Sequence, residues 1–258
     1  MPSPEFRASG RNRQRGLSLV ELLVAMTVGL MVVVAAVGAL ALSRAASSDV
    51  SDLSQLQQQG SYALHVIGTQ IRHAGSVDPV RDDATGLYAF VKSPVGVGSA
   101  NAMVFGADGK GTQPDSVSVA FAPASIGTSD LGPSAQYDCA GTRVDEADRV
   151  VATFEVAAQG QLRCAGESQK QPVIANVADL QIDYRVETEG GIQTMDADEV
   201  EGRKLWGAVT AIEVCLDLQG DEIGADLDDL YKACGNADKP RDGRVHLVFR
   251  NVFSLRTH

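Results

Sequence analysis

The chain has 258 residues, 44% of them hydrophobic, which is enough for one well-packed domain plus an appendage. Its net charge is −11; residues 1–16 hold four arginines (Arg7, Arg11, Arg13, Arg15) against Glu5, a local +3 that leaves −14 for the remainder. So acidic a body repels nucleic acid, whose phosphates are held by Lys and Arg that displace counterions, and no Lys/Arg cluster follows residue 16.

From Leu22 to Leu42 run 21 residues in which only Thr27, Gly29 and Gly38 are not apolar. At 1.5 Å per residue that makes roughly 30 Å of helix, the thickness of a bilayer core. Arginines crowd the upstream flank, whereas Arg44 stands alone downstream and is followed by Asp49 and Asp52. The positive-inside rule therefore places residues 1–16 in the cytoplasm and the body on the far side of the membrane. A cleaved secretory signal has a shorter apolar stretch, roughly 7 to 15 residues, although "ALALSRA" at 39–45 offers a small-residue cut site near Ser43. An ordinary signal anchor leaves Glu21 without a purpose. A charge in a span costs at least about 2.5 kcal/mol and is functional by default.

The basic leader, Gly16, the run Leu17-Ser18-Leu19-Val20-Glu21 and the long apolar helix occur in that order. Together they resemble the class III signal of type IV prepilins. The resemblance implies that a membrane-embedded aspartic peptidase cuts after Gly16 and that the new amino terminus, Leu17, is N-methylated. Glu21 then stands at the position of the family's acid, the fifth residue of the mature chain; Leu17 stands where many members have phenylalanine. The chemistry accords with this. Cleavage creates an α-amine at the membrane face that the Glu21 carboxylate of a neighbouring subunit neutralises, and a paired charge in a low-dielectric bundle sets register where an unpaired one is expensive. Leu17 and Glu21 are also i,i+4 neighbours, so the pair can close within one chain before assembly.

No proline interrupts residues 44–75, and Leu53, Leu56, Ala63, Leu64, Ile67, Ile71 and Ala74 recur at three-and-four spacing. That is one face of an amphipathic helix covered by a sheet, with Gly75 as its stop and Arg72 and His73 in the last turn. Residues 75–137 are rich in Gly, Pro, Ser, Ala and Asp, broken by "LYAFV" (87–91), "AMVF" (102–105) and "SVSVAF" (116–121). They read as hairpins and long loops. Strand signals strengthen in "RVVATFEV" (149–156). In residues 179–187, Leu180, Ile182, Tyr184 and Val186 alternate with polar neighbours, which predicts a strand with one buried and one wet face. In 211–218, Ile212, Val214, Leu216 and Leu218 point inward and Glu213, Cys215 and Asp217 outward; "RVHLVFRNV" (244–252) is the last strand. One helix followed by strands predicts an α+β fold, an antiparallel sheet laid on the helix.

This order is similar to that of type IV pilins. "LQQQGSYALHVIGTQIRHAG" (56–75), "NVADLQIDYRVETEGG" (176–191) and "VHLVFRNVFSLR" (245–256) resemble the PilW-type minor pilins, while residues 76–175 carry no recognisable motif. Minor pseudopilins of type II secretion share the architecture.

Cys139, Cys164, Cys215 and Cys234 all follow the membrane segment, which fits disulfides in an oxidising compartment. Four cysteines allow three connectivities; Cys139–Cys164 and Cys215–Cys234 are favoured because each pair brackets a loop-like stretch. No C-x-x-C pair occurs and the histidines, at 65, 73, 246 and 258, are few, so a structural zinc site is not expected.

Other chemistry is weak. "GADGKGT" (106–112) departs from a phosphate-binding loop in spacing and lacks a following helix pattern, so it reads as an exposed turn, and "GVGSAN" (96–101) lacks the third glycine of a dinucleotide fingerprint. "DADEVE" (196–201) and "DEIGADLDD" (221–229) offer oxygen ligands without EF-hand order and read as solvated loops; calcium binding in such loops is a family analogy only. His65 falls off the apolar helix face, His246 alternates away from Val245, Leu247 and Phe249, and Trp206 is assigned to core or hairpin packing.

The expectation is a non-catalytic minor pilin without cofactor or metal. It divides into a cleaved leader (1–16), a transmembrane and assembly half-helix (17–43) and a periplasmic globular domain (44–258), with the amphipathic helix at 44–75 and loops and sheet at 76–258. The resemblance implies an inner-membrane, N-in precursor that passes into a periplasmic or cell-surface pilus. Its partners would be other minor pilins, the major pilin, an inner-membrane assembly platform and a tip adhesin, with the prepilin peptidase as processing enzyme. A pseudopilin role in type II secretion, or a pilus-borne subunit for adhesion or DNA uptake, is the alternative.

Overall fold

In the computed structural model, residues 18–76, 79–81, 85, 88–90, 102–111, 113–122, 137–144, 149–166, 168–221 and 229–255 are described. The first element is α1 (Leu19–His73). Its length follows from the absence of proline and from a cap at each end: Ser18 precedes it, and Arg72 and His73 occupy the last turn, where cations suit the helix dipole. Gly75 follows at φ +70°, the left-handed geometry that ends helices and that glycine adopts without penalty. The chain divides into two compact units, residues 1–50 and 51–258.

In the first unit, every described side chain from Leu19 to Ala41 is exposed. This 23-residue stretch is the one candidate membrane span among the described residues, by length and composition.

In the second unit, Leu56, Ala63, Ile67, Ile71 and Ala74 of α1 are at most 2% exposed, as their spacing predicts. Leu53 and Leu64 of the same stripe are only half-buried. Two helical glycines belong to this face as well. A Cβ on Gly60 would run into the ring of Phe249, and one on Gly68 into the ring of Phe253, so each glycine is a notch that admits an aromatic ring against the helix backbone.

The strands form two main antiparallel sheets where the sequence pattern predicts one. β1 (Pro79–Arg81) pairs with β2 (Tyr88–Phe90). The five-stranded sheet runs in chain order through β3 (Val104–Ala107), β4 (Ser116–Phe121), β5 (Val150–Ala157), β6 (Gln161–Ala165) and β7 (Lys170–Ile174). Its strands are short and separated by Gly- and Pro-rich stretches, so no single segment announced a second sheet. The four-stranded sheet contains β8 (Val177–Thr188), β9 (Gly191–Met195), β10 (Val209–Gln219) and β13 (His246–Ser254), in the spatial order β13-β10-β8-β9. Register places Ile212 opposite both Tyr184 and Phe253, and Leu216 opposite Leu180 and Phe249. These inward residues form one core with Ile67 and Ile71 of α1 and with Val119, Phe154 and Leu162 of the other sheet.

Between β9 and β10 lies α2 (Ala197–Arg203), a helix where the sequence reading of 196–201 expected a solvated loop. Its first turn is held from two sides. The Asp196 carboxylate accepts from Glu199 N at 2.8 Å, and the Asp108 carboxylate accepts from Ala197 N at 3.0 Å and Asp198 N at 2.7 Å. Clustered acids suit a helix N-terminus because they satisfy its free N–H groups and its dipole. Within "GADGKGT" the same Asp108 is a structural cap, and Lys110 is exposed as a turn requires. Trp206 is 3% exposed between Phe105 and Tyr184, ring centroids 5.0 Å from each, and its indole N–H donates to Glu201 at 2.6 Å. It is a core residue. The last pair, β11 (Leu230–Lys232) and β12 (Asp238–Pro240), forms a separate two-stranded ribbon.

Candidate functional site

At the N-terminus, Ser18 Oγ accepts a hydrogen bond from Glu21 N at 3.2 Å, and Ser18 O accepts from Leu22 N at 3.2 Å. Ser18 and Glu21 thus stand in the S-x-x-E spacing of a capping box, with the serine half formed. The Glu21 side chain is exposed in the first turn, where a carboxylate also favours the helix dipole. The rest of the surface from Leu19 to Ala41 is apolar, and its internal hydroxyl is satisfied locally: Thr27 Oγ1 donates to Val24 O at 2.9 Å. A lone acid on such a surface has to find a positive partner or stay in water. The expected cleavage and methylation positions, Gly16 and Leu17, lie outside the described residues, as does the whole leader.

The four cysteines form two bonds, Cys139–Cys164 with Cα atoms 6.0 Å apart and Cys215–Cys234 at 5.6 Å. The first joins β6 to the segment before β5. The second ties β10 to the end of the β11–β12 ribbon and corrects the sequence reading of that face. Cys215 and Asp217 do point away from α1, yet they are 4% and 0% exposed, because the ribbon roofs them. Tyr231 Oη donates to Asp217 Oδ2 at 2.6 Å, and His246 Nδ1 lies 3.1 Å from Asp217 Oδ1. The imidazole stacks on the Tyr231 ring, centroids 4.2 Å apart, so His246 is half-buried and not a plain surface residue. Burial, with Asp217 as acceptor, holds the Tyr231 phenol well above its ordinary range. Arg250 donates to the carbonyls of Ala233 and Cys234 at 2.9 and 2.7 Å and closes the ribbon from β13.

Elsewhere, Asp115 links the two sheets: its carboxylate accepts from Gly109 N and Ile182 N, each at 2.8 Å. Burial raises its pKa against the pull of those two bonds. The carboxyl of Asp183 is raised too, by burial first and then by the nearby Glu213. His65 is exposed. Residues 222–228, most of the second acidic stretch, and 96–101 lie outside the described residues. No group of three or more His, Cys, Asp or Glu placed to hold a metal ion occurs among the described residues.

Against known proteins, residues 11–37 match the prokaryotic N-terminal methylation motif, which spans the expected cut site, Glu21 and most of the apolar run. No curated protein matches the chain. Among solved structures the chain is similar to a type IV-like pilin from Thermus thermophilus, 14% identical with a TM-score of 0.46, over 78% of this chain and 95% of that one. The motif and the apolar helix behind it fit membrane anchoring of a precursor. The N-terminal methylation motif thus stands at the head of one long helix with an apolar first half, followed by antiparallel sheets, a type IV pilin-like order of elements.

Proposed function

We propose that this chain is a PilW-like minor pilin that helps to initiate type IV pilus assembly. The observation that carries the proposal is an exposed glutamate, Glu21, at the head of an exposed apolar helix inside a matched methylation motif. In this reading the prepilin peptidase cuts after Gly16, Leu17 is methylated, and the apolar half of the helix passes from the bilayer into a bundle of neighbouring subunits. Glu21 neutralises the methylated amine of the next subunit, an intersubunit pair formed where an unpaired charge is expensive. The chain catalyses nothing and is the peptidase's substrate. A subunit that keeps Glu21 has an amine to meet above it, which places the protein below the extreme tip. Its partners are other minor pilins, the major pilin and the inner-membrane assembly platform, with a tip adhesin above.

The test is deletion of the gene in its own host with surface fibres and secreted proteins scored side by side. Loss of fibres with normal secretion is expected. Normal fibres with loss of an exported protein would move the chain to the pseudopilins of type II secretion.

A further inference from the structure

The β11–β12 ribbon does not lie flat on the four-stranded sheet. Between them opens a cleft of about 330 Å³, lined among others by Lys239, Arg241, Asp242, Arg244 and His246. In a chain where 33 acidic residues face 22 basic ones, the lining holds Lys239, Arg241 and Arg244 against Asp217 and Asp242. Asp217 in the lining and Asp179 outside it are already hydrogen-bonded. Asp217 holds Tyr231 and His246, and Asp179 accepts from Gln181 Nε2 at 3.0 Å and from Lys239 Nζ at 3.1 Å.

Two guanidinium groups remain. Arg241 lies over the Tyr231 ring, 5.5 Å from its centroid, a contact that leaves its N–H fork open. Arg244 Nη1 donates to the carbonyls of Gly220 and Asp221 at 2.8 and 3.0 Å, both neutral acceptors. Asp242 stands beside these two cations as the second carboxylate of the lining, with Asp217. His246 is fixed through Nδ1 on Asp217, which leaves Nε2 as its other hydrogen-bonding atom.

We propose that this cleft is a binding site for a single carboxylate group, held by Arg241 and Arg244 and backed by His246. The planar fork of a guanidinium matches the two oxygens of a carboxylate. The volume lies at the small end of ligand pockets, room for an acidic side chain, a chain terminus or a small free acid. The Cys215–Cys234 bond and the Arg250 contacts pre-form the roof, so little ordering is left for the ligand to impose. The site stands whether or not the chain enters a fibre.

The test uses the detergent-solubilised full chain and anisotropy of a hexaglutamate peptide carrying a neutral dye, at low salt. Saturable binding is expected, absent for hexaglutamine. R241Q and R244Q, each checked for intact disulfides and unchanged circular dichroism, should weaken binding about tenfold, the loss expected for one charge-assisted contact. K170Q, on an exposed lysine of the other sheet, should leave it unchanged. Displacement by millimolar succinate means a free acid suffices; displacement by unlabelled peptide alone assigns the site to a protein segment. No saturable binding, or equal weakening by R241Q, R244Q and K170Q, overturns the proposal.

Discussion

The amide of Glu21 donates to Ser18 Oγ at 3.2 Å, so the residue that carries the odd charge of the apolar helix also closes its first turn. The backbone of Glu21 serves the helix whatever its side chain is, and the carboxylate is free for another use. Replacing Glu21 by Ala should therefore leave helix formation and peptidase processing unchanged and impair fibre initiation. Immunoblot mobility reports the first and fibre counts the second; full piliation by E21A, with processed protein present, contradicts the assembly role.

The Gly68 notch predicts a size limit. A Cβ there meets the ring of Phe253, which is 6% exposed. G68A should destabilise the globular unit by about 1–3 kcal/mol through overpacking. The double variant G68A/F253L should lose less than the sum of the single changes, because the smaller side chain relieves the clash. Urea unfolding of the three variants measures the coupling; strict additivity would show that the two positions do not press on one another.

The Cys215–Cys234 bond closes a 19-residue separation. In the chain-entropy account, C215A/C234A lowers stability by about 3 kcal/mol. Because this bond ties the ribbon over Asp217, the variant should also speed hydrogen exchange at Tyr231 and Ala233 more than at Ile182 in the sheet interior. Uniform exchange over the whole unit would mean that the ribbon is held without the bond.

Asp115 predicts a pH dependence with a definite sign. Burial raises its folded pKa above the ordinary value of 3.8, so the folded chain holds a proton that the unfolded chain has lost in the window above pH 3.8. Stability contributed by this group is present below that value and lost as pH rises through the folded pKa. Wild-type protein should accordingly lose stability relative to D115N as pH rises above 3.8, measured by urea unfolding. A gain would mean that the bonds from Gly109 and Ile182 outweigh burial. Asp183 has the same sign and cancels in the comparison.

Much of the fold was legible from periodicity. Leu180, Ile182, Tyr184 and Val186 alternate in the sequence and are all buried on one face of β8, and the stripe from Leu56 to Ala74 is the buried face of α1. Alternation shows which residues share a face, and it cannot show what covers the other one. Cys215 and Asp217 therefore read as wet although a ribbon more than ten residues downstream roofs them. The helix α2 was missed because seven residues carry too little apolar periodicity; its signal was Asp196 followed three residues on by Glu199, the capping spacing. The Gly60 and Gly68 notches were invisible for a related reason. A glycine in a helix pattern reads as a cost until the ring that fills its space is known. At the N-terminus the reverse holds: Gly16, Leu17 and Glu21 take their meaning from their order in the chain, and the fold adds only that Glu21 is exposed and capped.

A pilin role requires that the chain be cut after Gly16. Intact-mass analysis of the protein extracted from membranes of its own host decides it. Loss of residues 1–16 and one added methyl on Leu17 are expected. An uncut terminus, or a new terminus near Ser43, would contradict it.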